Sequence, residues 1–249
     1  PAVAVIGSRK ATPRGQALAG HMAGAFASWG ITVVSGMAWG IDKAAHEAAL
    51  GRAGSSIAVL GTGIDVPYPR ANTRLYDRMA AKGLLVSEFA PGTPALRENF
   101  PVRNRIISGL SLGVLVVEAP EKSGALITAN TALEQGRDVF AVPGPINADT
   151  SRGCNQLIRD GAGLVMEAWD VLGTYQQRFP QRLRPIRAAM PEMPRGAEEE
   201  AAQAPAKPER QQKKPPAMPV LDLAKEGAAL TDDQKRILRV LPADRPLLA

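Results

Sequence analysis

Short apolar runs alternate with stretches of helical periodicity from the first residues of the chain onward. The apolar runs predict strands at residues 3–7, 32–36, 56–61, 84–89, 114–119, 139–144 and 164–166. Several are unbroken rather than alternating, which is the pattern of strands covered on both faces. The intervening segments predict helices at 14–29, 41–52, 72–82, 102–110, 125–135 and 154–160. In the first of these, Leu18, Met22, Ala25 and Trp29 recur at helical spacing and predict a single apolar stripe. Strand–helix alternation sustained over this length predicts an α/β domain. Its sheet is mainly parallel, its helices cover both faces and its crossovers are right-handed.

The texture changes beyond Phe179. Nine prolines fall between Pro180 and Pro219, with Glu198-Glu199-Glu200 and Lys213-Lys214 among them. Such a segment buries too little apolar surface to offset the entropy of ordering it, so residues 176–226 are expected to be a flexible linker. A last helical pattern runs from Thr231 to Leu241 and opens on an N-cap-like threonine. It is expected to be part of a small terminal domain over 227–249, and the packed domain is expected to occupy 1–175. The strand at the very start implies that a longer chain precedes it. No run of about 18 apolar residues is present, so no membrane span is expected. Without a signal sequence a cytoplasmic location is expected, and the lone Cys154 excludes an internal disulfide and a multi-cysteine zinc site.

The net charge of +6 invites a polyanionic partner, but it is unevenly divided. Residues 1–175 hold 16 Lys/Arg against 14 Asp/Glu, and residues 176–249 hold 14 against 10. Overall charge is therefore weak evidence, and the case rests on where basic residues cluster. The linker cluster Arg178, Arg182, Arg184 and Arg187 is expected to be solvated rather than bound to a ligand.

Open parallel sheets take ligands beyond the carboxyl ends of their strands, near a switch in strand order. The informative residues gather at those ends. Strand one runs into Gly7-Ser8-Arg9, where a close-approaching backbone and a guanidinium fork suit a phosphate. Strand two runs into Ser35-Gly36 and a small-residue turn ending at Asp42, which is expected to brace the helix that follows. His46, one turn on, is expected to be a satisfied structural histidine, and with only His21 beside it a histidine acid–base pair has little support. Strand three runs into Gly61-Thr62-Gly63, but Pro67 stands where a dinucleotide fingerprint needs its third glycine. After strand four comes the densest stretch, Arg97-Glu98-Asn99-Phe100-Pro101-Val102-Arg103-Asn104-Arg105. There a base can stack on Phe100 while Arg97 and Arg103 hold flanking phosphates. The alternative is that Phe100 plugs the core and the arginines pair with Glu98 and Glu118. Arg103 and Arg105 cannot share a helical face, so at least one is expected to be structural. After strand five, Lys122-Ser123-Gly124 opens a helix in an anion-binding arrangement, or is simply a serine N-cap beside a solvated lysine.

These blocks, together with Ala45-His46 and Gly136-Arg137-Asp138-Val139-Phe140-Ala141-Val142-Pro143-Gly144, resemble the DNA-processing protein A (DprA/Smf) family over residues 1 to about 173. The resemblance implies an extended Rossmann-like fold that binds single-stranded DNA, loads RecA recombinase onto it during natural transformation, and is not an enzyme. No cofactor and no metal are implied. By position, Arg9, Arg97 and Lys122 resemble the family's basic contacts and Phe100 its base-side aromatic. The candidate DNA-binding set is Gly7, Ser8, Arg9, Ser35, Gly36, Arg97, Phe100, Arg103, Asn104, Lys122, Ser123 and Gly124. The resemblance also implies a homodimer and a RecA contact around Leu133, Asn155, Ile158, Arg159 and Leu164. The residues themselves show only an amphipathic helix and a strand there. Members often carry an N-terminal helical domain, which is not expected within this sequence, and a C-terminal winged-helix-like domain, of which only an opening helix is expected here.

Two enzymatic readings compete. A phosphoribohydrolase-like nucleotide-processing enzyme on a related fold would need a Pro-Gly-Gly-x-Gly-Thr loop, and residues 122–134 lack its double glycine. A metal-dependent nuclease would need Asp42, Asp65, Glu88 and Glu118 to gather around ions, yet they are spread over four strand ends with no tight pair.

Overall fold

A computed structural model describes residues 1–183 of the chain. Among the described residues, seven strands form one parallel sheet. They are β1 Ala2–Ile6, β2 Thr32–Ser35, β3 Ser56–Val59, β4 Leu84–Val86, β5 Gly113–Val116, β6 Asp138–Ala141 and β7 Gly163–Leu164. The helices are α1 Pro13–Ser28, α2 Ile41–Ala49, α3 Thr73–Lys82, α4 Asn99–Gly109, α5 Gly124–Glu134, α6 Asp149–Arg159 and α7 Ala168–Leu172. The strand order is β4-β3-β2-β1-β5-β6-β7, and every pairing is parallel. This is the doubly wound, Rossmann-like architecture, with its order reversing between β1 and β5.

The unbroken apolar strands are explained by two cores. Val3 and Val5 of β1 point into one core with α1, α2 and α7, while Ala4 and Ile6 point into the other with α4, α5 and α6. The apolar stripe of α1 sits differently from its expected position. Gly15, Ala19, Met22, Ala23, Gly24, Phe26 and Ala27 are its buried residues, and Leu18, Ala25 and Trp29 flank them. The face combines Met22 and Phe26, among the largest fully buried side chains, with small residues that let α1 pack closely on α2, Gly20 lying against Ala44 and Ala48.

The short helix α7 carries no long periodic signal and was not expected from the sequence. It is held by a capping box between Glu167 and Asp170. The packed region also runs past the expected boundary at 175. Leu183 is 1 % exposed within the first core, and Phe179 packs against it. The expected linker beyond residue 183, the helical pattern at 231–241, and Arg184 and Arg187 lie outside the described residues. Arg178 lies over the Phe179 ring. No helix among the described residues is long and apolar enough to cross a membrane.

Candidate nucleic-acid interface

The loops after β1 and β5 flank the switch in strand order, and α4 brings a third loop across the same edge. Together they enclose a groove of about 790 Å³. Gly7, Ser8, Arg9, Arg97, Phe100, Arg103, Asn104, Lys122, Ser123 and Gly124 all line it. Residues separated by more than a hundred positions in the chain thus meet along one rim.

The loop after β1 is built before any ligand arrives. The Ser8 amide donates to the Glu118 carbonyl at 2.7 Å, and the Ser8 hydroxyl accepts from the Lys10 amide at 3.1 Å. Gly7 is required because a Cβ there would lie 2.7 Å from the Glu118 carbonyl. The Ile41 amide donates to the Ser8 carbonyl at 3.3 Å, tying this loop to the next. Gly40 holds that junction at φ 75°, a conformation that favours glycine, and a Cβ there would collide with the Ser8 carbonyl. Ser8 is therefore buried and internally satisfied, and the ligand-facing groups of the loop are Arg9 and Lys10, both exposed.

The amino end of α1 is already filled. Glu118 accepts from the Thr12 amide at 2.9 Å and from its hydroxyl at 2.5 Å, and Thr12 Oγ1 caps the Gly15 amide at 3.0 Å. A carboxylate at a helix N-terminus is stabilising there, and it leaves no room for a phosphate. The amino end of α5 is different. Ser123 Oγ accepts from the Ala125 amide at 3.2 Å, and Gly124 is exposed with no protein atom within 4 Å of where a Cβ would lie. Ser123 holds the Ala125 and Leu126 amides, and exposed Lys122 and Gly124 line the groove beside them.

Ser35 and Gly36 are corrections to the expected contact set, while Arg103 lines the groove with its guanidinium held by backbone carbonyls. Ser35 is fully buried and donates its hydroxyl to the Val5 carbonyl at 2.7 Å. Gly36 is also buried, and neither residue lines the groove. Arg103 is only 4 % exposed. It donates to the Gly36 carbonyl at 2.8 Å and to the Val59 carbonyl, clamping the ends of β2 and β3. Burial lowers its pKa to about 10, while the neighbouring Asp42 favours its charge. Asp42 accepts from the Gly36 and Ala38 amides at 3.2 and 3.3 Å; burial raises its pKa and Arg103 opposes the rise. Arg103 is thus the structural member of the pair, although Arg105 also has a partner, Glu88.

His46 is structural as expected. Its Nε2 accepts from the Met37 amide at 3.3 Å, so Nδ1 carries the proton and donates to Ser56 Oγ at 2.7 Å, which donates in turn to the Val33 carbonyl at 2.9 Å. Full burial lowers its pKa to about 3. This chain, with the Asn72 amide on the Met37 carbonyl at 2.9 Å, holds Met37 at φ 61° and so shapes the second loop.

Phe100 is half-buried and lines the groove. Its ring carries Arg9 at 5.3 Å and Arg103 at 5.8 Å, and Tyr68 packs on it at 5.5 Å between centroids. Tyr68 is 42 % exposed and is the more open of the two rings. Sequence reasoning missed Tyr68 and Lys10. Tyr68 lies in the loop after β3, which was weighed only as a failed dinucleotide fingerprint, and the signal available was an aromatic between two prolines at a strand end. Lys10 adjoins the expected Gly7-Ser8-Arg9 block. The exposed groove cations are thus Arg9, Lys10, Arg97 and Lys122.

The four carboxylates weighed for a nuclease all have structural partners. Asp42 and Glu118 brace loops as described, Asp65 accepts from the Gly92 amide at 2.7 Å, and Glu88 pairs with Arg105.

The family model of DNA recombination-mediator protein A matches residues 1–176. This chain belongs to that family. It is 48 % identical over 176 residues to the DNA processing protein DprA of Streptococcus pneumoniae, covering 71 % of this chain and 62 % of that protein. It is 50 % identical over 175 residues to Protein Smf of Escherichia coli, covering 70 % and 47 %. The chain therefore spans about half to three-fifths of these relatives. Among solved structures, the Streptococcus pneumoniae DNA processing protein A aligns at 49 % identity with a TM-score of 0.67, covering 70 % of this chain and 61 % of that one. The Helicobacter pylori DNA processing protein A, described for its single-stranded DNA binding mode, aligns at 29 % identity and TM-score 0.66, covering 71 % and 80 %. A molybdenum cofactor binding protein from Rippkaea orientalis shares the fold alone, at 15 % identity and TM-score 0.52.

The residues that the DprA/Smf resemblance implied for dimer and RecA contacts lie on the β5–β6–β7 half. Leu133 on α5 and Leu164 on the edge strand β7 are exposed, Arg159 is exposed, and Ile158 is half-buried. Asn155 has both ends of its amide on the Gly144 backbone, at 2.9 and 3.1 Å, so its side chain tethers a loop. Ile146 and Met166, 90 % and 77 % exposed, are further apolar residues of this half that were not singled out from sequence.

Proposed function

We propose that this chain is a binding module, not an enzyme, that holds single-stranded DNA along the groove at the β1/β5 switch. The observation that carries the reading is the meeting of four exposed cations, Arg9, Lys10, Arg97 and Lys122, around the adjoining rings of Tyr68 and Phe100. Cations spaced along a groove track a backbone, and rings among them accept bases without regard to sequence. The start of α5, where Gly124 is exposed beside Lys122, leaves room for one phosphate. The structural partners of Asp42, Asp65, Glu88 and Glu118 favour binding over metal-dependent cleavage.

Membership of the family supports three finer proposals. The bound strand is incoming DNA protected during natural transformation, RecA recombinase is loaded onto it, and two copies associate through the β5–β6–β7 half around Leu133 and Leu164. The setting proposed is the cytoplasm.

The groove reading is tested by gel-shift titration of single- and double-stranded oligonucleotides. Single strands are expected to bind more tightly, and Arg9→Ala with Lys122→Ala to weaken all sequences alike. Equal binding by the folded double variant would contradict the reading.

A further inference from the structure

The groove opens at Tyr68 onto a row of cations that the site above does not use. Arg70 lies in the short 3₁₀ turn Arg70–Asn72, and Arg74, Arg78 and Lys82 follow along α3 at four-residue spacing. All four are exposed. Buried Leu75 and Met79 anchor the adjoining face of α3. Four-residue spacing places successive side chains along one ridge of the helix, about 6 Å apart in rise. The helix starts at the carboxyl edge of the sheet and ends at its amino edge, where Ser55 Oγ donates to the Lys82 carbonyl at 3.0 Å just before β3. The row therefore runs the height of the domain.

These four cations are unpaired, whereas several other exposed helical cations are paired. Lys43 pairs with Glu47 on α2, Arg152 with Asp149 on α6, and Arg105 of α4 with Glu88. None of Arg70, Arg74, Arg78 and Lys82 has an ion-pair or side-chain hydrogen-bond partner among the described residues. Asp77 is the one carboxylate on α3, and the nearby Asp65 is engaged by the Gly92 amide. An uncompensated row repels itself when empty, and an anionic chain laid along it relieves that repulsion.

We infer that α3 is a second track, on which the phosphate backbone of a single strand continues after leaving the groove past Tyr68. The inference rests on the groove reading, since the strand must first be held there. It commits to the trailing strand as occupant because the row begins two residues from a ring that lines the groove. Protein–strand contact thus lengthens along α3 without new base recognition.

The test uses the full chain and labelled oligothymidylates of about 5 and about 20 nucleotides, lengths that bracket single-strand site sizes. Arg74→Gln/Arg78→Gln removes two exposed charges without touching the groove. For the long oligomer, the double variant is expected to bind several-fold more weakly, with a salt slope shallower by about 1.4, two phosphates at ~0.7 each. For the short oligomer, affinity and slope are expected to match the parent. Unchanged binding of the long oligomer overturns the second track and leaves the groove reading standing. An equal loss for both lengths also overturns it, because the charges then act on the groove itself. A parent protein that binds neither oligomer overturns both readings.

Discussion

At the scale of single residues, Tyr68 and Phe100 differ in a way that binding measurements resolve. Tyr68 is the more open ring, whereas Phe100 also seats the Arg9 guanidinium. Tyr68→Ala is expected to weaken every single-stranded sequence by about 1–3 kcal/mol with its salt slope unchanged. Phe100→Ala is expected to cost a similar amount and to flatten the slope as well, because Arg9 loses its seat. Fluorescence anisotropy at several salt concentrations separates the two. His46 gives a second prediction, in stability. Its folded-state pKa of about 3 lies below the ordinary 6.5, so the native protein binds fewer protons than the unfolded chain between those values. The stabilisation is complete above pH 6.5 and is lost as pH falls toward 3, at up to about 1.4 kcal/mol per unit. Denaturant midpoints for the parent and His46→Gln measured from pH 7 to 4 check this, and the parent should show the steeper acid loss.

At the scale of elements, strands and helices were legible in the sequence because both cores impose period. The unbroken runs of β1, β5 and β6 announce burial on two faces, and the alternation with helices announces a parallel sheet. What was not legible depends on contacts across the chain. The buried state of Arg103 follows from the Gly36 and Val59 carbonyls, which no local pattern reveals, so a basic cluster looks uniformly exposed from sequence. Ser35 beside Gly36 resembles a phosphate turn, but its hydroxyl is directed to the Val5 carbonyl by the β1–β2 pairing. Tyr68 acquires meaning only when the loop after β3 folds against α4. The edge strand β7 gives this scale its own prediction. It is two residues long, and Leu164 on it is 47 % exposed. If this edge joins two copies, Leu164→Asp is expected to convert dimer to monomer, because an interface centre does not tolerate an unpaired charge. Light scattering during size-exclusion chromatography reads the mass directly.

At the scale of the whole molecule, net charge is a poor guide to function and placement is a good one. Acidic and basic residues nearly balance through residue 175, yet the four exposed cations of the groove converge at the point where strand order reverses. The fold concentrates charge that the composition conceals. The measurement that tests this most directly is the salt dependence of single-strand affinity by the full chain, using an oligomer short enough to occupy the groove alone. With about four phosphates neutralised at ~0.7 each, log K is expected to fall against log salt with a slope near −3. Lys122→Ala should bring that slope about 0.7 closer to zero. A slope near zero, or one that Lys122→Ala leaves unchanged, would contradict a groove that works by gathering cations onto one strand.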